Sequence, residues 1–290
     1  MTARISVPVT TVWSSADAPR PQDAAIIATR PDPVAWNAAL LDAPPSALHG
    51  RTVTQALLGE PAHVRAERDG WAEVILPWQP SSADPAGYPG WIPAAHLTDA
   101  EGAVSTSRVV VSVPAADVGD ATLSYGTILD VVDETTDGVR VSLPGGRVGT
   151  LAESAVAPLA GHRRMSDPEA LLDSARQFVG LRYLWGGTSG WGMDCSGFVH
   201  LVHRRFGITI PRDASDQIGA ASRTTTASPG DLYFFENGNA RISHVGFATK
   251  ADDELPMLHA PDGGRLQYIE ERPMEQSRRE RLVSSGSFLS

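Results

Sequence analysis

The chain has 290 residues, 42% hydrophobic and 20% charged, with 34 acidic and 24 basic side chains for a formal net charge of −10. That length accommodates two or three domains with sizeable cores, and the acidity argues against binding nucleic acid or an anionic membrane surface. One cysteine excludes an internal disulfide and a Cys-based zinc site.

The Met1–Thr10 stretch carries one arginine and is followed by no long apolar run. The expectation is therefore a chain without an export signal or membrane span, acting in the cytoplasm. The first forty-five residues are rich in Pro and Ala, with Trp13 and Trp36 as isolated aromatic anchors. From Val53 the pattern turns β-like: Val64, Trp71, Val74 and Leu76 fall in short runs separated by Gly59, Asp69-Gly70 and Pro77.

The same grammar returns about sixty residues later. Leu58-Gly59-Glu60 aligns with Tyr125-Gly126-Thr127, Asp69-Gly70-Trp71 with Asp137-Gly138-Val139, and Gly90-Trp91-Ile92 with Gly149-Thr150-Leu151. Gly59 to Gly70 spans 11 residues and Gly126 to Gly138 spans 12, as expected of a degenerate repeat of two small β-domains. The copies differ in one loop, 13 residues from Pro77 to Gly90 against 5 from Pro144 to Gly149. Extra loop length in a compact β-domain is often functional. Only the first copy carries an acid, Glu60, where the second has Thr127.

Near Gly161 the texture changes. Asp167-Pro168-Glu169 reads as an N-cap with proline at the first helical position, and Leu171, Leu172, Ala175, Phe178 and Val179 follow at helical spacing up to Gly180. A second helix is expected over about Ser196–Phe206, with Phe198, Leu201 and Val202 as its buried stripe. His200 and His203 lie off that stripe and are read as solvated. Three strand-like runs follow, Leu232–Phe235, His244–Ala248 and Met257–Ala260, which makes this part α+β.

Cys195 stands where a glycine-rich loop meets the second helix. The first N–H groups of a helix lack intrahelical partners and its dipole favours negative charge there, so a thiolate would be stabilised. A lone cysteine also fits a buried inert thiol, but Asp194, Ser196 and Gly197 suit an accessible cleft better. His244 opens a strand beside small residues, where it could take the thiol proton. His259, polar within an apolar strand, is either a satisfied buried histidine or a third member orienting His244.

Together Tyr183-Leu184-Trp185-Gly186-Gly187, Asp194-Cys195-Ser196-Gly197-Phe198, Pro211-Arg212-Asp213-Ala214-Ser215, Pro229-Gly230-Asp231-Leu232 and Ser243-His244-Val245-Gly246 resemble the NlpC/p60 superfamily of bacterial cysteine peptidases over about Asp167 to Leu266. The repeat resembles bacterial SH3-like domains. The whole arrangement resembles γ-D-glutamyl-L-diamino acid endopeptidases of the dipeptidyl-peptidase VI type.

The resemblance implies an α+β, papain-like catalytic domain over 161–290, preceded by two small SH3-like β-barrels over 1–100 (with the N-terminal extension) and 101–160. It implies Cys195 as nucleophile, His244 as base, His259 as the orienting third member, and Tyr183 supporting the oxyanion. It further implies cleavage of cell-wall (murein) peptides with a free N-terminal L-alanine between γ-D-glutamate and lysine or diaminopimelate, without a metal or organic cofactor and in a monomer. Asp194, Glu60 and Tyr88 are the candidates for the substrate ammonium. Ser196, Asp213 and the Ala214 backbone are the candidates for the glutamyl portion, with Arg212 either pairing with the D-glutamyl α-carboxylate or, the preferred reading, bracing Asp213. Competing readings are a thiol amidase or acyltransferase on another amide, and a non-catalytic cell-wall binding module.

Overall fold

The computed structural model describes residues 2–99, 107–159, 167–261 and 267–289. The expected boundaries at 100/101 and 160/161, and Leu266 at the end of the resemblance, lie outside the described residues.

The N-terminal segment is built into the first β-unit. Thr2–Ile5 pairs with both Pro61–Arg68 and Leu97–Asp99, and Val9–Trp13 pairs with Thr52–Leu57 and, through Trp13, with Trp91. Trp13 and Trp36 are fully buried anchors, and the Trp36 indole N–H donates to Asp23 Oδ1 at 2.8 Å. Both tryptophans, with Val9 and Leu57, belong to the same apolar cluster as Phe198 and Phe247 of the C-terminal part.

Seven strands make the first sheet, in the order Thr52–Leu57, Val9–Trp13, Tyr88–Pro93, Trp71–Leu76, Pro61–Arg68, Thr2–Ile5, Leu97–Asp99. The second unit has five, in the order Arg147–Leu151, Gly138–Leu143, Ile128–Thr135, Arg108–Val111, Val156–Pro158, beside the hairpin Ala115–Val118/Ala121–Ser124. Neither sheet closes, so the expected β-barrels are corrected to open sheets: the outermost strands of each sheet do not pair with one another. Closure would need a ladder between them. In the first sheet one edge, Thr52–Leu57, instead faces the C-terminal part, where Gln55 Oε1 accepts from Thr188 N at 3.0 Å and Ser189 Oγ at 2.8 Å. The other edge, Leu97–Asp99, is only three residues long, a common way to blunt an edge.

The repeat is nonetheless visible in the backbone. Pro61–Arg68 and Ile128–Thr135 are both eight-residue strands, irregular between Val64 and Ala66 and between Val131 and Asp133.

In the C-terminal part, Asp167 caps the helix Pro168–Arg176 by accepting from Ala170 N at 3.1 Å. Leu171, Leu172, Ala175 and Phe178 are buried as expected, but Val179 is 53% exposed. The helix ends at Arg176, so Val179 lies in the turn before Gly180 and leaves the apolar stripe. A six-stranded sheet runs Ser222–Thr224, Leu282–Ser287, Leu232–Glu236, Ile242–Ala248, Met257–His259, Glu270–Arg272. The helix Cys195–Arg205 packs on it, Phe198 meeting Phe247 edge-on at 5.6 Å between centroids.

This helix is buried on all sides, and that corrects the reading of His200 and His203 as solvated groups: they are 1% and 0% exposed. The sheet covers one face, with His203 stacked on Phe247 at 5.6 Å, and the first β-unit reaches the helix through Glu60 and Arg204. No helix among the described residues is long and apolar enough to cross a membrane.

Candidate active site

Asp194 has extended backbone (φ −87°, ψ 178°), and its Oδ1 accepts from Gly197 N at 2.7 Å, which caps the helix beginning at Cys195. Its Oδ2 accepts from Gly186 N at 3.0 Å and thereby ties the glycine-rich loop to the helix start. Gly197 is required by that closeness: a Cβ there would collide with the Gly187 carbonyl oxygen. Cys195 is therefore held at the first helical position, 5% exposed, where helix geometry favours a thiolate. Tyr183, half-buried, bridges to Met193, two residues before Cys195, so the loop carrying its ring runs beside the thiol's own segment.

The Cys195 sulfur lies 3.9 Å from the carbonyl oxygen of Ser243, the residue immediately preceding His244. His244 sits in the strand Ile242–Ala248, and its Nε2 is 2.9 Å from His259 Nδ1 on the neighbouring strand. Gly246 permits that approach, since a Cβ there would lie 2.7 Å from the Cβ of His259. Both imidazoles are 2% exposed. Burial, and then the charges of His259 and Arg278, hold His244 well below the usual histidine range. Burial, then Arg278 and Arg272, push His259 down to about 3. Neutral imidazoles are what proton acceptance requires.

On the other side of the helix start lies a polar cluster centred on Arg212, which is fully buried. Its guanidinium grips Asp194 with two nitrogens, Nη1–Oδ1 at 3.0 Å and Nη2–Oδ2 at 2.8 Å. It also donates to Ser196 Oγ at 3.0 Å and, from Nε, to Thr54 Oγ1 of the first β-unit at 2.9 Å. The expected brace thus acts on Asp194; Asp213 is the weaker partner at 3.9 Å. The bidentate fit of guanidinium to carboxylate favours Asp194.

Tyr88 crosses between the two parts of the chain: its hydroxyl donates to Asp213 Oδ2 at 2.9 Å. Burial pushes the Asp213 carboxyl up, against the opposing pull of Arg212 and the Tyr88 bond. Ala214 follows as the first residue of the helix Ala214–Ala220. Asp194, Ser196, Arg212, Asp213 and Tyr88 are therefore brought together.

Glu60 is placed differently. It is fully buried, with Oε1 accepting from Arg204 Nη1 at 2.6 Å and Leu57 N at 2.9 Å, and Oε2 facing Gln79 Nε2 at 3.4 Å. Arg204 lies nine residues after Cys195 on the same helix, roughly 13 Å along its axis at 1.5 Å per residue. Gln79 connects the two regions, since its Oε1 accepts from Thr54 Oγ1 at 2.6 Å. Among the described residues no group of three or more His, Cys, Asp or Glu side chains could hold a metal ion.

Sequence reasoning missed Thr54, Gln79, Arg204 and Glu270, whose Oε1 stands 3.5 Å from His259 Nε2. Polar residues in strands and at helix ends carry no local sign of a partner more than a hundred positions away. For Glu270 the only available signal was its place in the strand opposite His259.

Residues 180–284 match the NlpC/P60 family, and residues 45–97 match the bacterial dipeptidyl-peptidase Sh3 domain. The chain is 33% identical over 269 residues to a gamma-D-glutamyl-L-lysine dipeptidyl-peptidase of Bacillus subtilis, covering 89% of each chain. It is 33% identical over 282 residues to the enzyme of the same name from Bacillus cereus, covering 91% of this chain and 84% of that one. Its fold superposes on the crystal structure of an NlpC/P60 family protein from Bacillus cereus with a TM-score of 0.91 at 29% identity, over the full length of both chains.

Proposed function

This chain belongs to the NlpC/P60 family of cysteine peptidases, and from that premise we propose that it releases L-Ala-D-Glu from murein peptides with a free N-terminal L-alanine. It is a hydrolase of the bond between γ-D-glutamate and a diamino acid in peptidoglycan-derived peptides. The observation that carries the reading is the helix-start thiol beside the strand of His244, with His259 2.9 Å behind that imidazole.

In the proposed mechanism His244 engages His259 through Nε2, so its Nδ1 takes the proton of the Cys195 thiol. The thiolate attacks the γ-glutamyl carbonyl carbon. The oxyanion is met by the Cys195 backbone N–H and the Tyr183 hydroxyl, and donors of this kind are worth about 3–4 kcal/mol each. Collapse breaks the C–N bond, and the departing amine takes the proton from His244. Water, deprotonated by the same imidazole, then hydrolyses the thioester and restores the thiol.

Of the three candidates for the substrate ammonium, Tyr88 with Asp213 is best supported. Asp194 already accepts from Gly186 N, Gly197 N, Ser196 and Arg212, and Glu60 is held by Arg204. Asp213 is held only by the Tyr88 hydroxyl and by Arg212 at 3.9 Å, and its side chain is 40% exposed, so it stays open to a cation. Ser196 and the Ala214 backbone then hold the glutamyl portion.

The test is incubation of the purified protein with L-Ala-γ-D-Glu-L-Lys and its N-acetylated form, with products read by mass spectrometry. L-Ala-D-Glu is expected from the free peptide, with none from Cys195→Ala and at least roughly 100-fold slower cleavage of the acetylated peptide, about 2.7 kcal/mol. Absence of dipeptide release by protein with a titratable thiol rejects the assignment, and equal cleavage of both peptides rejects the free-amine specificity.

A further inference from the structure

We propose that Glu270 is a positioning residue that sets the tautomer of His259 and, through it, keeps His244 able to accept the thiol proton; this rests on the peptidase reading above. Glu270 begins the strand Glu270–Arg272 and stands directly opposite His259 in the antiparallel ladder. Its Oε1 lies 3.5 Å from His259 Nε2 and 2.9 Å from Arg272 Nε, while Arg272 Nη2 is held by Glu275 at 2.8 Å. The carboxylate is 34% exposed and the imidazole 3%.

The need for such a residue follows from counting protons. His244 Nε2 and His259 Nδ1 are 2.9 Å apart, so one of them carries the hydrogen between them. If His259 carries it on Nδ1, His244 accepts through Nε2 and a neutral His244 must then hold its own proton on Nδ1, where it cannot serve as base for the thiol. If His244 carries it on Nε2, its Nδ1 lone pair faces outward for proton transfer. The second arrangement obliges His259 to bear its own proton on Nε2, the nitrogen that faces Glu270. A carboxylate accepts hydrogen bonds and cannot donate one, so it selects that tautomer.

When His244 becomes an imidazolium, the charged groups around the pair are Arg272 and Glu275 from the outer strand and the turn after it, Arg278 from the helix Gln276–Arg279, and Glu270 itself. Arg278 opposes the cation on His244, and Arg278 and Arg272 both oppose charge on His259. Glu270 is the carboxylate within 4 Å of an imidazole nitrogen that offsets them.

The experiment compares wild type with Glu270→Gln and Glu270→Met in the full chain. Gln retains an oxygen that can accept from His259 Nε2–H and is isosteric, so it tests folding as well as charge. Nitrogen NMR shifts of the histidines are read alongside kcat and KM. In Ser-His-Asp enzymes, loss of a buried tautomer-setting carboxylate lowers kcat about 10⁴-fold; at 3.5 Å and partly exposed, Glu270→Met is expected to lower kcat roughly tenfold with KM unchanged. Its His259 signal should shift from Nε2–H toward Nδ1–H. Glu270→Gln is expected to keep the Nε2–H tautomer and to lose less than Met.

A Met variant that keeps both kcat and the Nε2–H signal overturns the proposal while wild-type cleavage leaves the peptidase reading standing. Should the Met variant fail to fold, wild-type protein showing Nδ1–H on His259 overturns it as well. Failure of wild type to cleave the peptide strikes the parent reading, while the tautomer measurement still decides whether Glu270 selects Nε2–H.

Discussion

The two β-units share an eight-residue, irregular strand and are used in opposite ways. The first enters the candidate active site: Thr54 meets Arg212, Tyr88 meets Asp213, and the Pro80 carbonyl accepts from Arg212 N at 3.0 Å, while farther along the helix Glu60 meets Arg204. The second touches the C-terminal part from outside the Arg212 cluster. Tyr125 shares a 2.6 Å bond with Ser174 on the helix Pro168–Arg176, and Ser124 Oγ accepts from Gly190 N at 2.8 Å. Where the first unit carries charge into a buried contact, the second carries hydroxyls. The 13-residue loop ending at Gly90, which the second unit lacks, supplies Pro80, Ser82 and Tyr88 to that contact. The lesson is that one of two similar β-units becomes part of a neighbouring site through one longer loop and is anchored beside it by one buried acid.

The largest expected effect that tests this contrast concerns Glu60 and its aligned counterpart Thr127. The Glu60–Arg204 pair has side chains only 1% and 5% exposed, and removing one member strands the other charge in the interior. Glu60→Leu is expected to cost about 3–5 kcal/mol of unfolding free energy, and Glu60→Leu with Arg204→Met to recover most of it. Thr127→Ala removes only a hydroxyl bond to the Ser124 carbonyl and is expected to cost about 1 kcal/mol. Urea titrations of wild type and the three variants decide it; similar losses for Glu60→Leu and Thr127→Ala would erase the difference between the units.

A smaller effect separates the two tyrosines. Tyr88→Phe deletes the hydroxyl bond to Asp213, and Tyr125→Phe deletes the bond to Ser174. Each should cost about 1–2 kcal/mol of stability, but only Tyr88→Phe is expected to raise KM for free-amine peptides, by roughly tenfold or about 1.4 kcal/mol. Steady-state kinetics on both variants would expose the error if Tyr125→Phe changed KM as much.

The candidate site was legible wherever the information is local. A cysteine where a glycine-rich loop meets a helix and a histidine beside small residues in a strand announce themselves within a few positions, and the structure brings Cys195, His244 and His259 into one neighbourhood. Quantities set by distant coverage were not legible. The helical period shows one apolar stripe for Cys195–Arg205, yet Phe247 and Phe288 cover His203, the Ile210 carbonyl meets His200, and a β-unit from 144 residues earlier reaches Arg204, so the faces read as solvated are buried. Strand patterns also do not encode whether edge strands meet, so open sheets and barrels look alike until Thr52–Leu57 is seen facing Thr188 and Ser189. The pairing of His259 with Glu270 depends on hairpin register, which no motif announces.

Acid sensitivity gives the finest test of the contrast, because the second β-unit, residues 107–159, contains no histidine. The remainder of the described chain holds, besides the exposed His49 and His63, five buried histidines, His96, His200, His203, His244 and His259, all with pKa values pushed down, first by burial. His200 falls to about 3 and His203 to about 4. His203 Nδ1–H donates to the Val199 carbonyl at 2.8 Å, which suits a neutral ring. In the unfolded chain these imidazoles titrate near 6.5. Between that value and the folded pKa the unfolded state binds more protons, so stability is complete above about pH 6.5 and is lost as pH falls toward about 4 for His203. Well below the unfolded pKa, each such imidazole contributes a slope of up to about 1.4 kcal/mol per pH unit. His203→Leu, set among Phe247 and Phe288, is therefore expected to flatten the pH dependence of unfolding between pH 6 and 5 by about that amount. Hydrogen exchange at pH 5 should correspondingly show protection lost first in the strands around His244 and the Cys195–Arg205 helix, and last in the strands 128–143. An unchanged slope in His203→Leu, or earlier loss of protection in the histidine-free unit, would mean that acid acts through the carboxylates and not through the buried imidazoles.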